Sequence, residues 1–279
     1  MIGDHYQDLV YWIQEREKLR KGEPVSDPIM LNTRFCNVFR EDDKVTKWIH
    51  KNWDVNNVFG MAVARMVNWP ETLQDLGEPF EWDPKPFIMT LEARKIAGMK
   101  VWTSAYMITG GYSRGGESKE VIIARVLGWL WDKLKADPVT AQDTLEKAAI
   151  KLRSPGIGLF LSAQIVADLK HGILDEADDW STWCAQGPGS LAGLNYLRGK
   201  DPKTSMGDKD FRYEINKLRP LVLQSTGLIL DAQNLQNCLC ETSKFVRIKY
   251  YGGRAKSGYA PRGVGYRSID PGERPEGPF

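Results

Sequence analysis

Between Arg34 and Asp43 a polar or charged residue recurs at every third position, in the order R-x-x-N-x-x-R-x-x-D: Arg34, Asn37, Arg40 and Asp43. On a helix, residues three apart share a face. The row would then form a slanting polar stripe, with Phe35, Val38 and Phe39 packed behind it. That pattern lines a polar cleft well; a solvated face laced with salt bridges is the alternative from spacing alone. A second group is carboxylic. Asp178 and Asp179 stand in LDEADDW, and Glu241 stands three residues before Lys244 in C-E-x-x-K. Carboxylates suit general acid–base work; for the aspartate pair, an N-cap before WSTW is the equal alternative. A third group is glycine. In S-P-G-I-G, Gly156 and Gly158 bracket Ile157 before an apolar helical pattern. Such a turn puts unpaired N–H donors and the positive end of a helix dipole where a phosphate oxygen can sit. Lys151 and Arg153 flank it and can add charge. Gly187 and Gly189, in GPGSLAG, open a second helix the same way. In both cases a plain turn with close helix packing is the competing reading.

The elements that must carry these residues read as helical. Periodicity predicts helices over 4–20, 32–53, 55–68, 120–134, 141–152, 159–170, 211–224 and 231–244, with another starting after Gly187; 90–107 reads as helical at first and then ambiguous around MKVWTSAYMI. The stretch from Thr109 to Lys119 is glycine-rich and reads as a loop. With Ser104, Tyr106, Ser113, Arg114 and Lys119 in or beside it, that loop can close over a site. No series of alternating strands appears. From Lys244 to the end, eight Lys/Arg face three acids, and tyrosines are interleaved with them. This tail, Arg254 and Lys256 included, has the make-up of a segment that follows a nucleic-acid backbone; a disordered tail without a task is the alternative. The expected architecture is therefore an all-α body, partitioned into an N-terminal helical subdomain (1–69), a helical domain (70–244) and a basic Gly/Pro/Tyr-rich tail (245–279).

Composition narrows the function classes. Of 279 residues, 38 are Lys or Arg and 36 are Asp or Glu, so total charge is near neutral and any basic surface is local. Four cysteines lack the C-x-x-C spacing, and there are three histidines. Structural zinc is not expected, and reduced thiols in a cytoplasm are the simpler expectation. No apolar leader and no bilayer-length apolar run is seen, so no membrane is expected. The phosphate-loop pattern G-x-x-x-x-G-K-[ST] is missing from the sequence.

The P-G-I-G turn with its flanking helices is similar to a helix-hairpin-helix unit, which grips a DNA backbone without reading sequence. From Ala141 to Gly193 the chain resembles the helix-hairpin-helix DNA glycosylases. In those enzymes an aspartate soon after the hairpin faces a flipped nucleotide; Asp178 and Asp179 are the counterparts. Leu159, Phe160 and Leu161 occupy the region of the lysine nucleophile of the bifunctional members, which argues against a lyase. A wider resemblance rests on DPIMLNTRFCNVFREDDKVTKWI, SAYMI, SPGIGLFLSAQIVADL, GPGSLAGLNYL and LQNCLCETSKF, in that order. Together they resemble a bacteriophage DNA-thymine hypermodification family, the alpha-glutamyl/putrescinyl-thymine pyrophosphorylases or amino acid:DNA transferases. Its helical module is shared with hydroxymethyluracil DNA kinases. ETSKF departs from that family's usual E-F-D-K-Y.

That resemblance implies a transferase acting on pyrophosphorylated 5-hydroxymethyluracil in phage DNA. An amine, from an amino acid such as glycine or from putrescine, replaces pyrophosphate. Arg34, Asn37, Arg40, Asp43 and Lys244 would then hold the leaving group or flipped nucleotide. Tyr106, Trp180 or Trp183 would supply a stacking face. Asp178, Asp179 and Glu241 would take the amine proton. Lys151, Arg153, Gly156, Ile157, Gly158, Gly187, Gly189, Arg254 and Lys256 would meet DNA. No cofactor is required in this scheme, with Mg2+ as an optional aid to pyrophosphate. A hydroxymethyluracil DNA kinase is the expected functional associate, and the cytoplasm of an infected bacterial host the expected location. A glycosylase for a modified pyrimidine and a non-catalytic DNA-binding partner of the kinase remain as alternatives.

Overall fold

A computed structural model describes residues 5–103 and 115–253. Twelve α-helices and one short 3-10 turn carry these residues, with no named strand among them, so the chain is all-α as expected. It divides into two units.

The first unit is discontinuous, comprising 1–44 and 181–279. Its described helices are α1 (Tyr6–Lys21), α2 (Pro28–Asn32), α10 (Pro188–Leu197), α11 (Asp208–Thr226) and α12 (Ala232–Tyr251). Leu9, Trp12 and Ile13 of α1 join Phe211, Ile215 and Leu218 of α11, and Leu235, Leu239 and Phe245 of α12, in one core. Helices α10 and α12 meet most closely. A Cβ at Gly193 would overlap the backbone of Leu239, and one at Gly189 would overlap the Cys240 side chain. Those glycines let two helix backbones approach.

The second unit is 45–180. It holds α3 (Lys44–Asn52, but for its first residue), α4 (Val58–Val67), α5 (Pro70–Leu76), α6 (Pro84–Ile96), α7 (Lys119–Ala136), α8 (Leu145–Lys151) and α9 (Leu159–Leu169). Every residue of α4 from Phe59 to Val67 is buried, as expected for a helix apolar on all sides. Helices α5, α7 and α9 pack around it.

Two expectations need correction. The linear partition at 69 and 244 does not match this grouping, because the first unit joins residues from both ends of the chain. The proposed start of the tail at 245 falls inside α12: Phe245 and Val246 are core residues, and the helix runs on to Tyr251 before Gly252 caps it in the left-handed region.

Candidate functional site

In the first unit the R-F-x-N-V-x-R motif is not on a helix. Helix α2 stops at Asn32, residues 33–39 are non-helical, and Arg40–Asp42 is the 3-10 turn. The slanting helical stripe expected for Arg34, Asn37, Arg40 and Asp43 therefore does not form. What replaces it is a ladder of side chains from one face of α12. Asn234 Oδ1 accepts the Arg40 N–H (2.9 Å), and Asn237 Nδ2 donates to Asn37 O (2.9 Å). Cys238 Sγ donates to Val38 O (3.7 Å), Glu241 Oε2 accepts the Cys36 N–H (3.1 Å), and Lys244 Nζ donates to Arg34 O. Offsets of 0, 3, 4, 7 and 10 keep all five side chains on one face. From the other side Arg16 of α1 donates to Cys36 O (2.9 Å) and to Asn37 Oδ1 (2.5 Å). Backbone groups that a helix would have paired internally are thus paired by side chains, which the burial of the segment requires.

This arrangement unites the two halves of the signature, R-F-x-N-V and C-E-x-x-K, and gives several members a holding task. Asn37 is 5% exposed, and its Nδ2 donates to Asp42 O at 2.9 Å. Glu241 is 6% exposed and lies 3.5 Å from Lys244 Nζ. Lys244 sits 4.8 Å from the Phe35 ring centroid. Glu241, expected as a general base, is buried and accepts the Cys36 N–H. Arg34, Arg40 and Asp43 are half-buried on the same segment, and the Asp43 N–H closes the 3-10 turn on Arg40 O (3.0 Å). Gly187 is the N-cap of α10, and its N–H is taken by Ser190 Oγ (3.1 Å). Gly189 serves the contact with Cys240 instead of an open anion site. Trp183 is a core residue, 3% exposed, with no open face.

In the second unit S-P-G-I-G forms a tight turn between two helices. Helices α8 and α9 are joined by a tight bend in which Ser154 and Ile157 exchange both backbone hydrogen bonds (3.2 and 2.8 Å). Gly156 has φ +87°, and a Cβ there would stand 2.5 Å from Val126 Cγ2; both conditions call for glycine. Ile157 is buried and pins the bend, while Arg153, Pro155 and Gly158 face outward. The first bond of α9 runs from the Ser162 N–H to Gly158 O (3.0 Å), so the amides of the first turn point out of the helix end. Phe160, on that turn, is 58% exposed.

The flanking charges differ. Arg153 is exposed. Lys151 is held by Asp143 (2.8 Å) and Asp137 (3.2 Å) and donates to Pro138 O (2.9 Å), so its charge is matched within the unit. Asp143 lies below the usual carboxylate range: burial pushes it up, but Lys151 and the Thr140 N–H outweigh that. Asp179 accepts the Leu145 N–H (2.6 Å) and the Glu146 N–H (3.1 Å). It is therefore a capping residue, but for α8 and not for the segment after it. Asp178 is an exposed carboxylate. Trp180 is edge-on to His171 and has Lys170 Nζ 3.8 Å from its ring centroid, so that face is covered. Lys119 begins α7 with Nζ 4.1 Å from the Trp102 ring; burial lowers its pKa. Tyr106, Arg254 and Lys256, with Ser104, Ser113 and Arg114, lie outside the described residues.

One polar constellation was not expected from sequence. Arg65, in the middle of apolar α4, forks onto Asp168 of α9 (Nε–Oδ2 2.6 Å, and Nη2 to Oδ1). Arg65 also donates to Thr46 Oγ1 (2.9 Å) and Asn68 Oδ1 (3.3 Å). His50 Nε2 lies 2.9 Å from Asp168 Oδ1, and the His171 ring packs 5.3 Å from His50. Asp168 is fully buried. Burial would raise its carboxyl, but the Arg65 charge and hydrogen bonds, with His50, hold it down at about 2. The signal in the sequence was a single charge inside each of two apolar runs, VARMV and QIVADL. Two such charges on packed helices must meet.

Fold and site together define an all-helical protein of two units, one carrying a glycine hairpin and the other a segment clamped to a long helix. A family model described as 5-hmdU DNA kinase, helical domain, matches residues 4–253. The chain belongs to that family and is thereby related to hydroxymethyluracil DNA kinases. No curated protein and no solved structure gives a significant match. Among the described residues no helix is long and apolar enough to cross a membrane, and no cluster of His, Cys, Asp or Glu is arranged to hold a metal ion.

Proposed function

We propose that the protein modifies thymine-derived bases in DNA, as a transferase that replaces the pyrophosphate of pyrophosphorylated 5-hydroxymethyluracil with an amine. The observation that carries this reading is membership, over 250 residues, in the family of the 5-hmdU DNA kinase helical domain. The resemblance of the sequence motifs to the amino acid:DNA transferases favours the step after phosphorylation. In that step the amine nitrogen attacks the exocyclic methylene carbon, the carbon–oxygen bond breaks, pyrophosphate leaves with the electron pair, and the nitrogen gives up a proton.

The hairpin supports the DNA part. The outward amides of α9 and the exposed Arg153 suit a phosphate held by main-chain donors. The target base would be extruded to react. Asp178, exposed and in the same unit as the hairpin, is the carboxylate best suited to accept the amine proton, since Asp179 and Glu241 are engaged by backbone amides.

The test is incubation of DNA bearing pyrophosphorylated hydroxymethyluracil with a panel of amino acids and polyamines, followed by nucleoside mass spectrometry and pyrophosphate assay. The expected result is a nucleoside heavier by the amine with equimolar pyrophosphate. Abasic sites and free base would instead show a glycosylase. Unchanged DNA that is nevertheless bound would show a non-catalytic binding partner of the kinase.

A further inference from the structure

Helix α6 is apolar on two opposite sides, and the second unit covers one of them. At about 100° per residue, Phe87, Leu91 and Arg94 share one side, and these are its buried residues. They face the unit, where α6 packs on α5 and α7. Arg94 ties the helix down, paired with Asp75 and donating to Lys100 O (3.0 Å). The opposite side carries Pro86, Met89, Ala93 and Ile96 within an arc of about 80°. All four are exposed, Met89 at 68% and Ile96 at 89%. A helix apolar all round is ordinarily covered all round. A run of exposed apolar residues on a fixed helix marks an interaction surface.

One edge of this outer stripe is charged. Lys85 and Glu92 are both exposed and stand about 20° apart around the helix, two turns from each other. Among the described residues neither has an ion-pair partner. Lys95, the next cation along, is engaged by Glu120 (3.1 Å). The spacing selects an orientation for a second copy packed stripe to stripe. In a parallel pair, Lys85 would face Lys85 and Glu92 would face Glu92 across the two-fold axis. In an antiparallel pair with the axis beside Met89, each Lys85 faces the other copy's Glu92, and the contact is made twice. The same register sets Met89 against Met89 at the centre and seats each Pro86 between Met89 and Ala93 of the other copy. The patch is therefore complementary to itself in both shape and charge.

We propose that the outer face of α6 is the contact of a symmetric dimer, covered by α6 of a second copy running antiparallel, with two Lys85–Glu92 pairs across the axis. Self-complementarity is what an isologous contact requires. A lipid surface is the poorer fit, because helices that lie on membranes carry an excess of Lys and Arg beside the apolar face. The stripe is narrower than a permanent interface, so a dissociation constant of about 10–100 µM is expected. The inference rests on α6 alone and is independent of the DNA reading above.

Sedimentation equilibrium of the full chain from about 5 to about 500 µM tests it, and the parent should pass from monomer to dimer over that range. Met89→Asp sets two carboxylates together on the axis and should weaken association by about tenfold or more. Lys85→Glu alone and Glu92→Lys alone should each weaken it by about tenfold, because like charges then face each other. Mixed in equal amounts, those two charge variants should associate about as well as the parent, since opposite signs meet again at both contacts. All three positions are exposed, so folding is not at stake; unchanged circular dichroism checks this. The proposal is overturned if the parent stays monomeric throughout, if Met89→Asp or the single charge variants dimerise like the parent, or if the mixture fails to associate.

Discussion

Two residues show how much local chemistry depends on a partner elsewhere in the chain. Asp168 is buried against Arg65, and removing one member of such a pair strands the other. Asp168→Asn should destabilise the fold by about 3–5 kcal/mol in urea unfolding, whereas a paired apolar replacement, Arg65→Met with Asp168→Leu, should cost much less. The pH dependence has a definite sign. The carboxyl is held at about 2 in the fold against an ordinary 3.8. Its contribution is whole above about pH 4 and fades as pH falls toward 2, a loss of about 2 kcal/mol that the Asn variant should lack. Urea midpoints measured from pH 6 to pH 2 on both proteins check this. Gly156 is the second case. Gly156→Ala meets both a left-handed φ and the Val126 methyls. A loss of about 1–3 kcal/mol is expected. Adding Val126→Ala should return only part of it, because the space is restored and the backbone strain is not.

At the scale of elements, α12 acts as a comb that reads the main chain of 34–40. Removing a tooth exposes a specific amide. Glu241→Ala should leave the part-buried Cys36 N–H without its acceptor, at about 1–3 kcal/mol. Hydrogen exchange should accelerate first at Cys36 and its neighbours, ahead of the α1 and α11 cores. If Glu241 were instead mainly a proton acceptor for catalysis, Glu241→Gln would abolish turnover while exchange at Cys36 stayed as in the parent. Sequence periodicity could not have shown this comb. Phe35, Val38 and Phe39 read as the back of a helix, because alternation and helical spacing are nearly indistinguishable over seven residues that are mostly buried. The hairpin was more legible: a left-handed glycine between two amphipathic patterns leaves few other conformations.

At the scale of the molecule, the second unit is one continuous stretch inserted between two pieces of the first. Residues 45–180 contain their own buried helix, their own ion pair and the cap that Asp179 places on α8. Expressed alone, that stretch should give helical circular dichroism and one cooperative thermal transition; a gradual melt would refute its autonomy. Should the hairpin hold DNA by backbone phosphates, the affinity of the whole chain should fall linearly in log–log form with salt and vary little with sequence. Filter binding between 50 and 200 mM salt would read both.

From the sequence alone came the helical class, the hairpin and the family signature, because each depends on neighbours within a few residues: spacing of apolar positions, glycine at a positive φ, and short motifs in fixed order. Tertiary structure alone decided which motif halves meet, that Glu241 and Asp179 hold backbone amides, and that Arg65 answers Asp168. Those outcomes depend on contacts between residues as far apart as 36 and 241. A pairing across that separation is selected by burial and hydrogen-bond satisfaction of the whole fold, and no local pattern records it.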